Sequence, residues 1–285
     1  MASSKSRWTR NLAVAFVGVV TLILLGYGVW FSELAPRGSF KIVHLKRHDL
    51  RPGVEAFEID FEHHSGPGGR LFLLYSDPSL ISPRVAINQN REPIESLETG
   101  AFFVMNAGFF TPKWRPTGLL VSSQRVLSPF VREAGAAGSG VLVIRNDTVT
   151  LLERDKLSAA DYRDAALAIQ AGPRVIEEDG KQGIWSDDGA RANRTVIGRD
   201  HRGRLAIAIV LGLHGWSTGP TLFELQHILG PEGIGRRLPD YAFSCALNLD
   251  GGPSTGFALR APDVEISYGE TSPVQNVLAL RGRRP

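Results

Sequence analysis

Short apolar runs separated by polar turns dominate the sequence from residue 57 to the C terminus. The first run alternates apolar with acidic residues and carries Phe57, Ile59 and Phe61, which is typical of a half-exposed strand. Runs typical of buried strands follow at Leu71–Tyr75, Phe102–Met105, Gly118–Val121, Leu205–Leu211, Ser244–Leu249, Phe257–Arg260, Val264–Tyr268 and Val274–Leu280. A chain with 31 glycines and 17 prolines is too often interrupted for a helical bundle. The pattern therefore predicts a β-rich fold.

Helices are few in this pattern. Thr221 and Glu224 form a capping box at the start of an apolar-faced segment that runs to Leu229, and residues 158–163 predict a second, short helix. Residues 145–147 separate two apolar runs and predict a hairpin. No linker divides the body of the chain. We therefore predict one α+β domain, with a large mixed or antiparallel sheet and a few helices packed against it.

Residues 12–31 carry no charge, and about twenty such residues span a bilayer as a helix. Lys5, Arg7 and Arg10 precede this stretch, which favours a cytoplasmic N-terminus. We predict a cytoplasmic tail at 1–11, a transmembrane signal-anchor at 12–31, a linker at 32–39, and a periplasmic or otherwise extracytoplasmic domain at 40–285. A cleaved signal peptide is the alternative, although no small-x-small cleavage site precedes Pro36.

The charge of the chain also lies in this N-terminal region. The formal net charge is +3, and the first 37 residues hold four basic residues against one acidic residue, which accounts for the whole excess. Because nucleic-acid binding needs a surplus of cations, the balanced remainder predicts no nucleic-acid partner. Cys245 is the only cysteine and lies in an apolar run, so we predict a core residue and no intrachain disulfide.

Four polar, glycine-containing segments come at the ends of predicted strands: Asn106–Phe110, Gln170–Pro173, Arg194–Thr195 and Asn248–Ser254. Strand ends are places where a rigid scaffold presents functional groups, and glycines let a ligand approach the backbone. Each segment alone is also compatible with ordinary turn chemistry. Together they predict a shared site.

Two other site types fit the sequence less well. Residues 252–256 match G-x-S-x-G, but the nucleophile elbow of α/β-hydrolases requires a histidine after the serine, and the last histidine is His227. The histidines also lack zinc-ligand spacing. His214 is the histidine whose loop, after a predicted strand, could face the other polar segments; an exposed or hydrogen-bonded histidine without a catalytic role is the alternative.

Taken in order, these segments resemble the phosphodiester glycosidase family, which includes the lysosomal mannose-phosphate uncovering enzyme and many bacterial exported proteins. The resemblance covers roughly residues 101–280 and rests on Asn106–Phe110, Gln170–Pro173, Arg194–Gly198, Gly219–Leu225, Asn248–Ser254 and Asn276. Two departures stand out. Ala107 replaces a commoner glycine, and Leu213–Gly215 stands where many members carry Asp-Gly-Arg.

The resemblance implies hydrolysis of the bond between the anomeric carbon of a sugar and a phosphodiester, in cell-envelope or extracellular glycans. It implies catalytic roles for Asp250, Arg194, Asn106 and His214. On this resemblance we expect Asp250 to act as a general base or to stabilise the oxocarbenium-like centre, and Arg194 to neutralise the phosphate. His214 and Asp188 are the candidates for a second catalytic group. The implied substrate-binding residues are Gly108, Phe109, Phe110, Gln170, Gly172, Pro173, Thr195, Gly251, Gly252, Ser254 and Asn276, with the N–H groups of Gly251 and Gly252 facing substrate oxygens.

We predict no cofactor and no metal site, although Asp250 leaves a divalent metal open. The predicted partners are a sugar phosphodiester or glycan and, through the N-terminal segment, a membrane; the oligomeric state stays open. Two alternatives remain. One is a non-catalytic, membrane-tethered glycan-binding protein of polysaccharide assembly, and the other is a phosphodiesterase that breaks the P–O bond.

Overall fold

The apolar runs form antiparallel strands in the computed structural model, which describes residues 40–63, 66–178 and 180–283. The strands are β1 (Phe40–Arg51), β2 (Val54–His63), β3 (Gly66–Ser76), β4 (Ile81–Ile87), β5 (Phe103–Asn106), β6 (Leu120–Ser122), β7 (Arg125–Ser128), β8 (Gly140–Arg145), β9 (Thr148–Glu153), β10 (Leu167–Ala171), β11 (Arg174–Ile176), β12 (Arg194–Asp200), β13 (Leu205–Gly212), β14 (Phe243–Asn248), β15 (Phe257–Ala261), β16 (Val264–Tyr268) and β17 (Asn276–Gly282). Within these ranges the α-helices are α1 (Ala159–Tyr162) and α2 (Leu222–Leu229).

These strands build three sheets rather than the one large sheet that we predicted. The seven-stranded sheet has the order β1-β2-β3-β13-β12-β14-β11, and the two five-stranded sheets have the orders β7-β6-β10-β8-β9 and β16-β15-β5-β17-β4. The physical reason lies in strands such as β13. Leu205, Ile207 and Ile209 enter one core, whereas Ala206 and Val210 enter another. A strand that is apolar on both faces needs cover on both sides, which a few short helices cannot supply.

The central core lies where the inner face of the seven-stranded sheet meets both five-stranded sheets. Phe72 of β3 stacks there on Phe103 of β5 and Phe257 of β15, with ring centroids 5.8 and 4.4 Å apart. Helix α2 covers the outer face of the seven-stranded sheet through Leu225, Ile228 and Leu229. Smaller apolar clusters cover the outer faces of the two five-stranded sheets.

The predicted capping box at Thr221 and Glu224 and the predicted hairpin at residues 145–147 are both confirmed. In α2, the Thr221 hydroxyl accepts from the Glu224 N–H at 3.2 Å, and the Glu224 carboxylate accepts from the Thr221 N–H at 3.1 Å. Strands β8 and β9 form the predicted hairpin. Asn146 and Asp147 at its turn have φ of 49° and 57°, a left-handed conformation that Asn and Asp tolerate well.

The predicted tail, signal-anchor and linker fall on residues 1–39, outside the described residues. Within the described ranges, the helices are too short or too polar to cross a membrane. The N-terminal anchor and the membrane partner stay predictions.

The fold brings the ends of four strands to one edge. Asn106 at the end of β5 pairs with Val277 near the start of β17, and Asn248 at the end of β14 pairs with Val196 near the start of β12. The first pair belongs to a five-stranded sheet and the second to the seven-stranded sheet. The polar segments of the sequence therefore meet at the junction of two sheets.

Candidate active site

Asn106 links the two sheets at this junction. Its side chain is fully buried. Its Nδ2 donates to the carbonyl oxygen of Asp250 at 2.5 Å, and its Oδ1 accepts from the Thr195 hydroxyl at 2.8 Å and from the Gly256 N–H at 3.3 Å. Both ends of the amide therefore bind protein groups. This geometry makes Asn106, together with Thr195, a positioning residue for the Asp250 loop.

Asp250 follows β14 and is half-buried. Its N–H donates to the carbonyl of Ala107 at 3.1 Å, and its Oδ1 accepts from the Gly251 N–H at 2.9 Å. Burial raises the pKa of its carboxyl to about 6, even though hydrogen bonds from the Ser254 hydroxyl and the Gly251 N–H act in the opposite direction. A carboxyl that changes protonation near neutral pH is suited to general acid or base chemistry.

Three hydrogen-bond donors of the loop after Asp250 are already paired with protein acceptors. The Gly251 N–H and the Ser254 hydroxyl donate to Asp250, and the Gly252 N–H donates to the carbonyl of Asn193 at 2.8 Å. The prediction that the N–H groups of Gly251 and Gly252 face substrate oxygens is therefore corrected. These groups shape the loop that presents Asp250.

Gln170 on β10 is buried and makes four hydrogen bonds to backbone groups. Its Oε1 accepts from the N–H groups of Leu119 and Val131, both at 3.0 Å. Its Nε2 donates to the carbonyls of Val131 at 2.6 Å and Gly138 at 3.1 Å. The side chain predicted to bind substrate instead ties two loops to the sheet.

Gly172 and Pro173, which are joined by a cis peptide bond, contact the Asp250 loop through its first residue. Asn248 donates its side-chain Nδ2 to the Gly172 carbonyl at 3.1 Å and its backbone N–H to the Pro173 carbonyl at 3.0 Å. The Leu249 N–H donates to the Thr195 carbonyl at 2.8 Å. The predicted convergence of these motifs is therefore seen in the structure.

The loop after β5 is fixed by Asn276. Its Oδ1 accepts from the Gly108 N–H at 2.8 Å, and its Nδ2 donates to the Gly108 carbonyl at 3.1 Å. Phe109 is half-buried and packs against the central core. Phe110 packs edge-on against Trp114, with ring centroids 5.0 Å apart. A substrate contact by either ring stays a prediction.

The backbone of Arg194 lies beside the Asp250 loop, since its Cα is 3.8 Å from the position that a Cβ on Gly251 would take, but its guanidinium binds other groups and not the Asp250 carboxyl. Its Nε donates to the carbonyl of Pro220 at 3.0 Å, its Nη2 donates to the carbonyl of Ala190 at 2.5 Å, and the nearby carboxylates are Asp188 and Glu224. Successive side chains of a strand point to opposite faces. Because Thr195 points inward to Asn106, the Arg194 side chain points to the face that carries α2.

Neither candidate for a second catalytic group contacts the Asp250 carboxyl. His214 is exposed in the turn after β13, and its N–H donates to the Thr218 hydroxyl at 3.1 Å. Asp188 is also exposed, and its Oδ1 accepts from the Ala190 N–H at 2.9 Å. Within the described ranges, no three His, Cys, Asp or Glu side chains form a cluster able to hold a metal ion.

Asn193, which the sequence did not single out, connects four segments around the site. It is fully buried. Its N–H donates to the Trp216 carbonyl at 2.6 Å and its carbonyl accepts from Gly252 at 2.8 Å. Its Oδ1 accepts from the Gly212 N–H at 2.9 Å, and its Nδ2 donates to the Tyr268 hydroxyl at 3.1 Å. Nothing local marks Asn193, because its four partners are remote in sequence.

The sequence profile of the phosphodiester glycosidase family matches residues 99–281. The chain belongs to the phosphodiester glycosidase family. The matched range contains every motif on which the resemblance was based, so that prediction is confirmed. Membership in this family supports a glycosidase-type hydrolase function for the chain.

Solved structures share the fold at low sequence identity. A hypothetical protein from Synechocystis is 16% identical with a TM-score of 0.54, and the alignment covers 84% of this chain and 64% of that one. The catalytic domain of zebrafish N-acetylglucosamine-1-phosphodiester alpha-N-acetylglucosaminidase, auto-inhibited by its pro-peptide, is 17% identical with a TM-score of 0.56, covering 86% of this chain and 89% of that domain. No protein of curated function matches the sequence. These structural similarities show the fold.

Proposed function

We propose that this phosphodiester glycosidase hydrolyses the bond between the anomeric carbon of a sugar and a phosphodiester, with Asp250 as the catalytic carboxylate. The observation that carries the proposal is the half-buried Asp250 carboxyl with a pKa of about 6, held at the junction of two sheets by Asn106. The zebrafish enzyme with the same fold is named for a sugar-1-phosphodiester, which makes N-acetylglucosamine esters the first substrates to test.

The reaction needs one water molecule. Water attacks the anomeric carbon, the bond from that carbon to the phosphodiester oxygen breaks, and the Asp250 carboxylate accepts the proton from the water. The products are the free sugar and a phosphate monoester that keeps the electron pair of the broken bond. Asp250 then releases its proton to solvent. A carboxyl with a pKa of about 6 is ionised at neutral pH and is basic enough to accept this proton.

One catalytic carboxylate suits this leaving group. An ionised phosphate ester leaves without being protonated, whereas an ordinary alcohol requires a general acid on the leaving side. Among the described residues, no second carboxyl shifts the pKa of Asp250, which is compatible with such a substrate. We further propose that the substrates are cell-envelope or extracellular glycans, which rests on the signal-anchor predicted for residues 12–31.

The test is release of free sugar from a panel of sugar-1-phosphate esters, beginning with UDP-N-acetylglucosamine, UDP-glucose and UDP-galactose. Asp250→Asn is compared with wild type, and Asp164→Asn, which changes an exposed aspartate outside the site motifs, serves as the control. We expect Asp250→Asn to lose at least about a hundredfold in kcat/KM and the control to keep its activity. Equal activity of a folded Asp250→Asn protein would refute the proposed role.

Water labelled with the heavy oxygen isotope identifies the broken bond. Cleavage at the anomeric carbon places the label on the sugar, whereas a phosphodiesterase places it on the phosphate. A glycan-binding protein without activity would instead show ligand-induced thermal stabilisation and no product, which would exclude the hydrolase.

A further inference from the structure

The loop after β13 exposes a large aromatic ring beside the Asp250 loop. Trp216 is 44% exposed, and the neighbouring Leu213 is 61% exposed. Leaving an indole ring in water forgoes the burial that normally stabilises a fold. More than half of Trp216 is buried, but the remaining apolar surface of the residue stays in water, which directs attention to a ligand.

The indole ring of Trp216 lies close to the loop that carries Asp250. A Cβ atom built on Gly252 would lie 3.4 Å from Cε3 of Trp216, so the indole packs against the glycine backbone itself. Gly252 has a φ of +60° and follows Asp250 by two residues, at most about 7.6 Å along the chain. Because glycine has no side chain, the ring can lie directly against the backbone of the loop that carries the Asp250 carboxyl.

The backbone that carries the ring is also held in place without a ligand. Asn193 binds the Trp216 carbonyl through its N–H at 2.6 Å and the Gly252 N–H through its carbonyl at 2.8 Å. The Thr218 hydroxyl closes the turn by donating to the Gly215 carbonyl at 3.0 Å and accepting from the His214 N–H at 3.1 Å. One buried residue thus fixes the spacing between the indole loop and the Asp250 loop.

We propose that Trp216 is the platform on which the pyranose ring of the substrate stacks while Asp250 acts at its anomeric carbon. The apolar face of a pyranose, which presents C–H groups, packs on an aromatic ring in the way that other flat apolar surfaces do. A preorganised ring loses little freedom on binding. This inference rests on the proposed function and adds a sugar-binding residue to it.

The experiment compares the full-length variants Trp216→Ala, Trp216→Phe and Trp185→Ala. Trp185 is 91% exposed and serves as the matched control. The readouts are kinetics with the most rapidly cleaved ester of the panel, calorimetric binding of the free sugar released from it, and the melting temperature. We expect Trp216→Ala to weaken sugar binding and lower kcat/KM by about tenfold, mostly through KM. Trp216→Phe should retain most of the binding, and Trp185→Ala should behave as wild type.

The outcomes separate this inference from the proposed function. Turnover by wild type with equal kinetics in Trp216→Ala would overturn the platform and leave the hydrolase intact. If the wild type cleaves no ester, binding of N-acetylglucosamine, glucose and galactose is measured instead. Sugar binding that depends on Trp216 would then support the stacking of the sugar on Trp216 and overturn the proposed hydrolase activity. No sugar binding at all would overturn both proposals. A fall in melting temperature without a change in sugar affinity would assign Trp216 a structural role and refute the inference.

Discussion

Replacing Asp250 by asparagine should make the protein more stable as well as inactive. Burial raises the pKa of the Asp250 carboxyl from 3.8 to about 6, so the folded protein holds a proton at a pH where the unfolded chain has lost it. The stability contributed by this proton is complete below about pH 4 and falls as the pH rises. It is lost above about pH 6, where the buried group is ionised.

The size of this effect follows from the pKa difference. Each pKa unit corresponds to 1.36 kcal/mol, so the shift from 3.8 to about 6 lowers the free energy of unfolding by about 3 kcal/mol above pH 6. Asparagine resembles the protonated carboxyl and does not ionise. Its Oδ1 can still accept from the Gly251 N–H, and the Ser254 hydroxyl can turn to accept from its Nδ2. For a domain of this size, about 3 kcal/mol raises Tm by roughly 6 to 12 °C.

Thermal unfolding of wild type and Asp250→Asn, followed by circular dichroism between pH 4 and pH 8, measures the effect. The two curves should coincide near pH 4 and separate through about pH 6, with the variant the more stable. Over the same range, kcat/KM of the wild type should rise with pH, because only the ionised Asp250 accepts a proton. Asp164→Asn, which changes an exposed carboxylate outside the site motifs, should follow the wild type. Parallel stability curves for wild type and Asp250→Asn would show that burial does not perturb this carboxyl.

Three further predictions concern other residues of the fold. Gln170→Leu should lower the free energy of unfolding, measured by urea titration, by on the order of 2–6 kcal/mol. The reason is that it leaves the N–H groups of Leu119 and Val131 unpaired, at about 1–3 kcal/mol each. An unchanged unfolding midpoint would contradict the role of Gln170 in tying these loops to the sheet. Arg194→Ala should lower Tm and reduce activity equally on sugar phosphodiesters and on neutral nitrophenyl glycosides, whose phenolate also leaves without a general acid, because Arg194 binds two backbone carbonyls. A loss confined to phosphodiesters would instead show a phosphate contact. Cys245, whose pKa burial raises to about 12, should not react with Ellman's reagent at pH 8 until the protein is unfolded.

The sequence located the candidate site but not the direction of every side chain. The polar motifs meet because they stand at strand ends that antiparallel pairing brings to one edge, and such ends are visible in the sequence. The face of the sheet to which the Arg194 side chain points is not visible in the sequence. Val196 and Ile197, which follow on the same strand and point to opposite faces, are both fully buried, so the sequence does not distinguish a polar from an apolar face. Asn193 and Trp216 were missed for a related reason. Their significance depends on contacts with residues 252 and 268, which no local pattern encodes.

The roles of the amide side chains were the least predictable part of the site. Asparagine and glutamine both donate and accept, so the same motif serves a ligand or a neighbouring loop equally well. Asn106 and Gln170 prove to bind loops. The choice between these roles depends on whether backbone donors and acceptors of other segments lie within reach, which is a property of the folded chain.

The pairing of β3 with β13 has a consequence for how the protein is made. Strands β1, β2 and β3 form a hairpin series that is complete at Ser76, but the other edge of β3 pairs with Leu205–Gly212. At about 5–20 residues per second, ribosomes add the intervening segment in roughly ten seconds. Throughout that interval β3 presents an open, apolar strand edge, which is a template for pairing with other chains. The free edge of β3 therefore has to be kept from pairing with other chains until the segment Leu205–Gly212 has been synthesised.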